Sequence, residues 1–303
     1  MKRVRYHRDG LRVEEAPEPV PGDGELLIRT RAIGVTLPAL RRLTGPGTEL
    51  PTLPGGEVAG EVIGSGRGVT GWAPGDRVSA LPFGGAYAEV VTAAVMTAER
   101  IPDGGADAQA VALVRSGHVA LGVLDAAALT GGESVLVTAA ASGVGHLLVQ
   151  LARLRGAGRV VAVAGPGKAS FLYDLGADEV LSYTDGPWPQ QCVVLDGAGG
   201  GAFTRGVEAL RPGGRLVFYS SGGGTIDASA LLAGSKTVTG FGIANLARGN
   251  PARYAAHGRE LWELALDGRL RPVVHGEFPL DAAATAHEIV EARENCGKVV
   301  LRP

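Results

Sequence analysis

Residues 140–145 read Ala-Ala-Ser-Gly-Val-Gly, a run of small side chains held between two apolar segments. Leading into them, residues 134–140 (Ser-Val-Leu-Val-Thr-Ala-Ala) have the length and β-branched content of a short buried strand. From Ser142 on, residues 142–158 read as a helix with a glycine exit. A strand that turns through small residues straight into a helix gathers backbone N–H groups and the positive end of the helix dipole, with no bulky side chain in front of them. That arrangement suits a pyrophosphate, and with a second strand following it opens a βαβ unit of the dinucleotide-binding kind. The turn departs from a strict Gly-x-Gly-x-x-Gly. Ala140 and Ser142 stand at its first two positions, Gly145 at the third, and Gly143 is additional. The plainer alternative is a small-residue turn needed only for packing the helix on the strand.

The segments that follow sustain the pattern. Strands are expected at 159–165, 179–183, 191–197, 215–221 and 236–242, with helices at 166–177, 202–214 and 226–234 between them. Strands alternating with helices of this length predict an α/β fold, a doubly wound parallel Rossmann sheet. The first hundred residues read differently, as short strands at 24–35, 55–66, 75–84 and 86–93 broken by Gly and Pro. A long apolar helix is expected over 107–132. After Asn250 come a helix (251–270), a strand (273–278), a helix (281–295) and a strand (298–301). The economical architecture makes one β-rich domain from both ends of the chain. Residues 1–110 supply its first part and 251–303 its return, with the Rossmann domain, 111–250, inserted between them.

Charge and cysteine content narrow the function. A net charge of −2, a pI near 6.3 and the lack of any long basic run argue against a nucleic-acid or anionic-membrane surface. Two cysteines, Cys192 and Cys296, cannot form a disulfide framework or a Cys-rich zinc lobe. The basic start is followed by no apolar stretch, so it is not read as a signal peptide. Residues 134–152 carry no formal charge, but the small-residue turn in their middle favours strand–turn–helix over a membrane span. A soluble, cytoplasmic protein with a small-molecule substrate is expected.

Which dinucleotide is bound turns on the end of the second strand. NAD sites usually place an acid there for the ribose hydroxyls. This chain has none: the strand ends near Ala164, and the next acid, Asp174, lies within the following helix. Pro166-Gly167-Lys168 follows instead. Lysine is rare here, the others being Lys2, Lys236 and Lys298, and a lysine in a helix's first turn opposes the helix dipole. A 2′-phosphate would account for it, which reads as NADPH. A solvated surface lysine is the alternative.

On these residues the chain resembles the zinc-free branch of the medium-chain dehydrogenase/reductases, that is, quinone oxidoreductases and polyketide enoyl reductases. The resemblance covers nearly the full length. It is carried by 24–35, by Pro54-Gly55-Gly56-Glu57, by 74–78 and 85–89, and above all by 139–151, which is similar to the signature AAxGGVGxxxxQLA. Residues 165–168 with 175–177, then 270–273, 278–280, 286–287 and 297–301 complete it. The resemblance implies a GroES-like substrate domain around the Rossmann domain. It places Ala140 and Ser142 to Gly145, including Val144, under the pyrophosphate. Lys168 and Tyr183, joined by Arg293, would hold the 2′-phosphate. Ser220 and the backbone around Phe241 would line the adenosine and nicotinamide sides. It also implies a homodimer through the Rossmann edge strand at 236–241.

Departures from the family bear on the chemistry. The zinc branch uses an early Cys and the His of a Gly-His-Glu motif. Here Gly55-Gly56-Glu57 stands at that motif and no cysteine precedes Cys192, so a Cys/His zinc site is not expected. The zinc-free branch usually has Asn after Ile-Gly-Val, whereas this chain has Thr36-Leu37-Pro38-Ala39. Over the nicotinamide, Gly117-His118-Val119-Ala120 replaces Gly-Leu-Thr-Ala. Hydride addition to a conjugated carbonyl builds charge on oxygen, which a hydroxyl or imidazolium can meet. Thr36 and His118 are therefore the catalytic candidates, against readings as a packing or turn residue and as a structural helix histidine. Arg41, Tyr87 and Arg115 are weaker candidates. His257, His275 and His287 read as surface or cap residues. The expected activity is zinc-independent, NADPH-dependent reduction of a quinone or α,β-unsaturated carbonyl. The alternatives are a redox-neutral tailoring enzyme of the same fold and a cofactor-binding sensor without turnover.

Overall fold

The structure, a computed structural model, describes residues 1–303. It begins with β1 (Lys2–His7), β2 (Gly10–Glu15), β3 (Glu25–Val35), α1 (Leu37–Leu43), β4 (Val58–Ser65), β5 (Arg77–Ala80), β6 (Val90–Ala94), β7 (Ala98–Arg100) and α2 (Asp107–Ala112). A π-helical turn, Leu113–Gly117, leads into α3 (His118–Ala127). There follow β8 (Ser134–Val137), α4 (Gly145–Leu154), β9 (Arg159–Ala164), α5 (Ala169–Asp174), β10 (Glu179–Ser182), β11 (Gln191–Asp196), α6 (Gly201–Glu208), β12 (Leu210–Phe218), α7 (Ala228–Leu232) and β13 (Thr237–Gly240). The chain closes with α8 (Ile243–Gly249), α9 (Pro251–Leu266), β14 (Val274–Pro279), α10 (Ala283–Glu291) and β15 (Lys298–Arg302). Two compact units result: Met1–Arg115 with Ala247–Pro303, and Ser116–Leu246.

The second unit is a six-stranded sheet in the order β10-β9-β8-β11-β12-β13, every pair parallel. Parallel strands covered on both faces need continuous apolar runs. Val135 to Val137, Val160 to Val163 and Val193 to Leu195 provide them, all fully buried. Each Val or Leu among them contributes about 1.5–3 kcal/mol over its exposed state. The winding reverses direction between β8 and β11, and open sheets of this kind bind ligands at the strand C-termini at that point.

The first unit is a largely antiparallel sheet, β14-β15-β3-β4-β5-β7, with β6 also pairing β3. Strand β15 runs against the end of β3, Val299 opposite Val35, so the two ends of the chain share one ladder. Leu26, Ile28, Ile33, Val58, Val62, Val78, Val299 and Leu301 form its core.

Several local expectations are corrected. Helix α6 stops at Glu208, not 214, because Leu210 already pairs with Gln191 in the ladder. The Pro-Gly-Gly that resembled a helix exit lies in an irregular stretch of β12, with Gly213 at φ 72°. The long helix is interrupted by the π-helical turn. Its run, Asp107–Ala127, is long and apolar enough to cross a membrane by length and composition, but it is mostly buried inside the protein. The β1–β2 hairpin, α1 and α8 were not anticipated. His257 and His287 are buried in α9 and α10, not at the surface, because both lie on helix faces turned into the first unit. His275 is exposed.

Candidate dinucleotide site

The turn after β8 is held by its own backbone. Ala139 takes φ 50°, and its N–H donates to the Tyr183 hydroxyl at 2.7 Å. The Ala140 N–H donates to the Val163 carbonyl at 3.1 Å, tying the turn to β9, and the Ser142 N–H donates back to Ala139. The Ser142 hydroxyl accepts the Gly145 N–H at 3.1 Å, which caps the start of α4. Gly145 has no space for a side chain: an added Cβ would lie 2.7 Å from the Ala140 Cα. The N–H groups of Gly143 and Val144 find no acceptor in the protein, and both residues are half-buried. Two unused donors beside a helix N-terminus suit an anionic ligand.

The sheet edge around the turn is clamped by residues that the sequence did not single out. Buried Asp196, the last residue of β11, accepts from the Thr138 hydroxyl at 2.5 Å and from the N–H of Gly199 at 3.1 Å. Thr138 in turn accepts the N–H groups of Gly197 and Ala198. Burial raises the Asp196 carboxyl above its ordinary value, and these hydrogen bonds oppose the rise. Tyr219 packs on Gly197, where an added Cβ would meet its hydroxyl at 2.5 Å, and that buried hydroxyl has no hydrogen-bond partner. Neither residue lies in a recognisable motif. Both are defined by the parallel register of β8, β11 and β12.

The remaining cofactor candidates divide between the units. Ser182 pairs in register with Ala164, so Tyr183 leaves β10 beside the exit of β9, and its hydroxyl reaches to Ala139. Its ring meets Trp188 edge-on, and Arg205 stacks on Trp188 at 4.2 Å. Lys168, half-buried, occupies the N-cap position of α5, after Gly165 and Gly167, where an added Cβ would meet open space. Ser220 follows β12, and its hydroxyl accepts the Gly222 N–H. Phe241 follows β13 with its ring set against Gly122 of α3 and its N–H donating to the Phe218 carbonyl at 2.9 Å. Arg293, exposed at φ 56°, belongs to the other unit.

The substrate candidates are separated in the same way. Thr36, in the first unit, caps α1 by accepting the Ala39 N–H at 3.4 Å. His118, in the second, has no solvent-exposed surface. Tyr87 is buried and hydrogen-bonded to His287 at 3.1 Å, which makes it part of the core. At Gly55-Gly56-Glu57, the fully buried Glu57 accepts the Arg115 Nε at 2.6 Å and pairs with the Lys298 ammonium. Burial pulls that ammonium down to about 7, while the carboxylate against it pulls the other way. No group of three or more His, Cys, Asp or Glu side chains is placed to hold a metal ion.

A parallel sheet in this winding order, with a small-residue turn at its switch point, defines a dinucleotide-binding protein of the dehydrogenase class. A model described as the alcohol dehydrogenase GroES-like domain matches residues 22–103, and one described as zinc-binding dehydrogenase matches 175–301. A Pseudomonas aeruginosa quinone oxidoreductase is 33% identical, over 100% of this chain and 99% of its own. The acryloyl-coenzyme A reductase of Metallosphaera sedula is 29% identical over 98% of each. A mycobacterial protein solved in complex with NADPH superposes with a TM-score of 0.94 at 32% identity, over the whole of both chains. The chain belongs to the medium-chain dehydrogenase/reductase family, with a GroES-like unit and a Rossmann unit, and it is an oxidoreductase.

Proposed function

We propose that this chain is a zinc-independent, NADPH-dependent reductase acting on a quinone or an α,β-unsaturated carbonyl compound, and that it works as a cytoplasmic homodimer joined through β13. The observation that carries the reading is the turn 140–145, with the N–H groups of Gly143 and Val144 unused at the switch point of the sheet. The buried, unpartnered Tyr219 hydroxyl at the same edge also fits a bound polar ligand. The exit of β9 carries Lys168 and no acid, which favours a 2′-phosphate over bare ribose hydroxyls. Relatives named for quinone and acryloyl-coenzyme A reduction, and a neighbour solved with NADPH, support the same class.

When bound, NADPH supplies the hydride. Ala140 and Ser142 to Gly145 would hold the pyrophosphate, Lys168, Tyr183 and Arg293 the 2′-phosphate, and Ser220 with the Phe241 backbone the adenosine and nicotinamide sides. Thr36 and His118 would orient the acceptor and deliver a proton to the oxygen on which charge develops. Strand β13 is the sheet's outer strand and is largely exposed, as an edge that pairs with a second copy requires. The test is steady-state oxidation of NADPH and NADH against a panel of enones and quinones. Turnover with NADPH is the expected result. Cofactor binding without turnover on any acceptor would leave a sensor and overturn the reductase.

A further inference from the structure

The first unit gathers three cations, Arg42, Arg115 and Lys298, near one buried carboxylate. Glu57 is one carboxylate with both oxygens occupied, Oε1 by Lys298 and Oε2 by Arg115. Arg115 also donates to the Gly56 carbonyl at 2.8 Å. The third cation, Arg42 on α1, has its guanidinium lowered from its ordinary value, mainly by partial burial and further by the neighbouring Arg115. Arg42 donates to the Phe83 carbonyl at 3.3 Å and pairs with no carboxylate.

Phe83 is the bracket between the two arginines. Its backbone is left-handed, φ 62°, an uncommon and costly conformation for a non-glycine residue. In that conformation its carbonyl faces Arg42 while its ring lies 5.4 Å beneath the Arg115 guanidinium. Arg115 sits in the π-helical turn Leu113–Gly117, a geometry that concentrates at functional sites. Its side chain retains 18% exposure, so it is not sealed in the core. The surrounding segment is the one that carries Thr36: an added Cβ on Gly34 would meet the Glu57 carboxyl carbon at 2.6 Å, and Thr36 caps the helix that bears Arg42.

We infer that Arg42 and Arg115, bracketed by Phe83, form an anion subsite that binds a carboxylate carried by the substrate. Guanidinium groups present planar forks of donors that match a carboxylate better than an ammonium does. Binding one would also supply the counter-charge that Arg42 lacks. The inference rests on the reductase reading for its substrate and narrows that substrate to acidic acceptors.

The experiment compares (E)-4-oxopent-2-enoate with its methyl ester, which offers the same alkene without the charge. The kcat/KM ratio of acid to ester is expected to be tenfold or more. It should fall at least tenfold in Arg42→Gln, recover in part in Arg42→Lys, and hold in Arg8→Gln, which removes an exposed arginine elsewhere. Binding of 4-oxopentanoate, which has no alkene to reduce, is measured alongside by calorimetry and should be lost in Arg42→Gln. Reduction of the ester with no preference for the acid would overturn the subsite and leave the reductase standing. Binding of 4-oxopentanoate that depends on Arg42, without turnover of either compound, would support the subsite and leave the reductase to be decided by the wider acceptor panel. No such binding and no preference would overturn the subsite whatever the activity.

Discussion

Lys168 and His287 show how one side chain's surroundings set what it can do. Lys168 stands at a helix start, where a cation is disfavoured by roughly 0.3–1 kcal/mol unless an anion faces it. Lys168→Ala should therefore weaken NADPH about tenfold, or about 1.4 kcal/mol, and leave NADH unchanged, as read by fluorescence titration of both cofactors. Equal losses would mean that Lys168 touches no 2′-phosphate. His287 is buried against Tyr87, and burial lowers its imidazole from the ordinary value to about 4. The unfolded chain then binds more protons than the native one between about pH 4 and 6.5, so stability rises with pH across that window and is lost as pH falls through it. The full shift corresponds to about 3 kcal/mol. Urea denaturation from pH 7.5 to 4 should show that loss in the native sequence and a shallower one in His287→Gln. Parallel curves would assign acid unfolding to other groups.

Among the elements, the β8–α4 turn separates two uses of glycine. Gly145 serves packing, with the Ala140 backbone where its side chain would be, so Gly145→Ala should destabilise the protein by about 1–3 kcal/mol. Gly143 is half-exposed with its N–H unused, so Gly143→Val should abolish NADPH binding with little change in thermal midpoint. A folded Gly143→Val variant with native affinity would place the phosphates elsewhere. The parallel strands were legible because burial on both faces demands uninterrupted Val and Leu. The turn was legible because close approach to a phosphate excludes bulk. The start of β12 was not, since Leu210-Arg211-Pro212-Gly213-Gly214 carries every local mark of a helix exit and only its ladder partner, Gln191, reveals a strand. The Glu57–Arg115–Lys298 cluster was equally hidden. It joins residues as far as 241 positions apart, and a lysine before Val-Val-Leu reads as any strand end. His257 and His287 were misplaced because their helices are polar enough to look exposed, while the faces carrying the histidines turn inward.

For the molecule as a whole, metal dependence is the property that the family name leaves most in question. One matching model is described as zinc-binding, yet Gly56 stands where the related zinc enzymes have histidine, and Cys192 and Cys296 lie far along the chain. Prolonged chelation should leave activity intact, and elemental analysis should find zinc well below one equivalent. Stoichiometric zinc whose removal abolishes turnover would reverse this view. The shared ladder of β3 and β15 has a consequence of another kind. During synthesis, everything the Rossmann sheet needs has left the ribosome once Gly240 emerges, whereas β3 must wait for Val299 to Leu301, made about sixty residues later. The inserted unit can therefore fold first, while the end of β3 that will meet β15 stays an open edge. The nascent chain is most exposed to mispairing in that interval, at Ile33 to Val35.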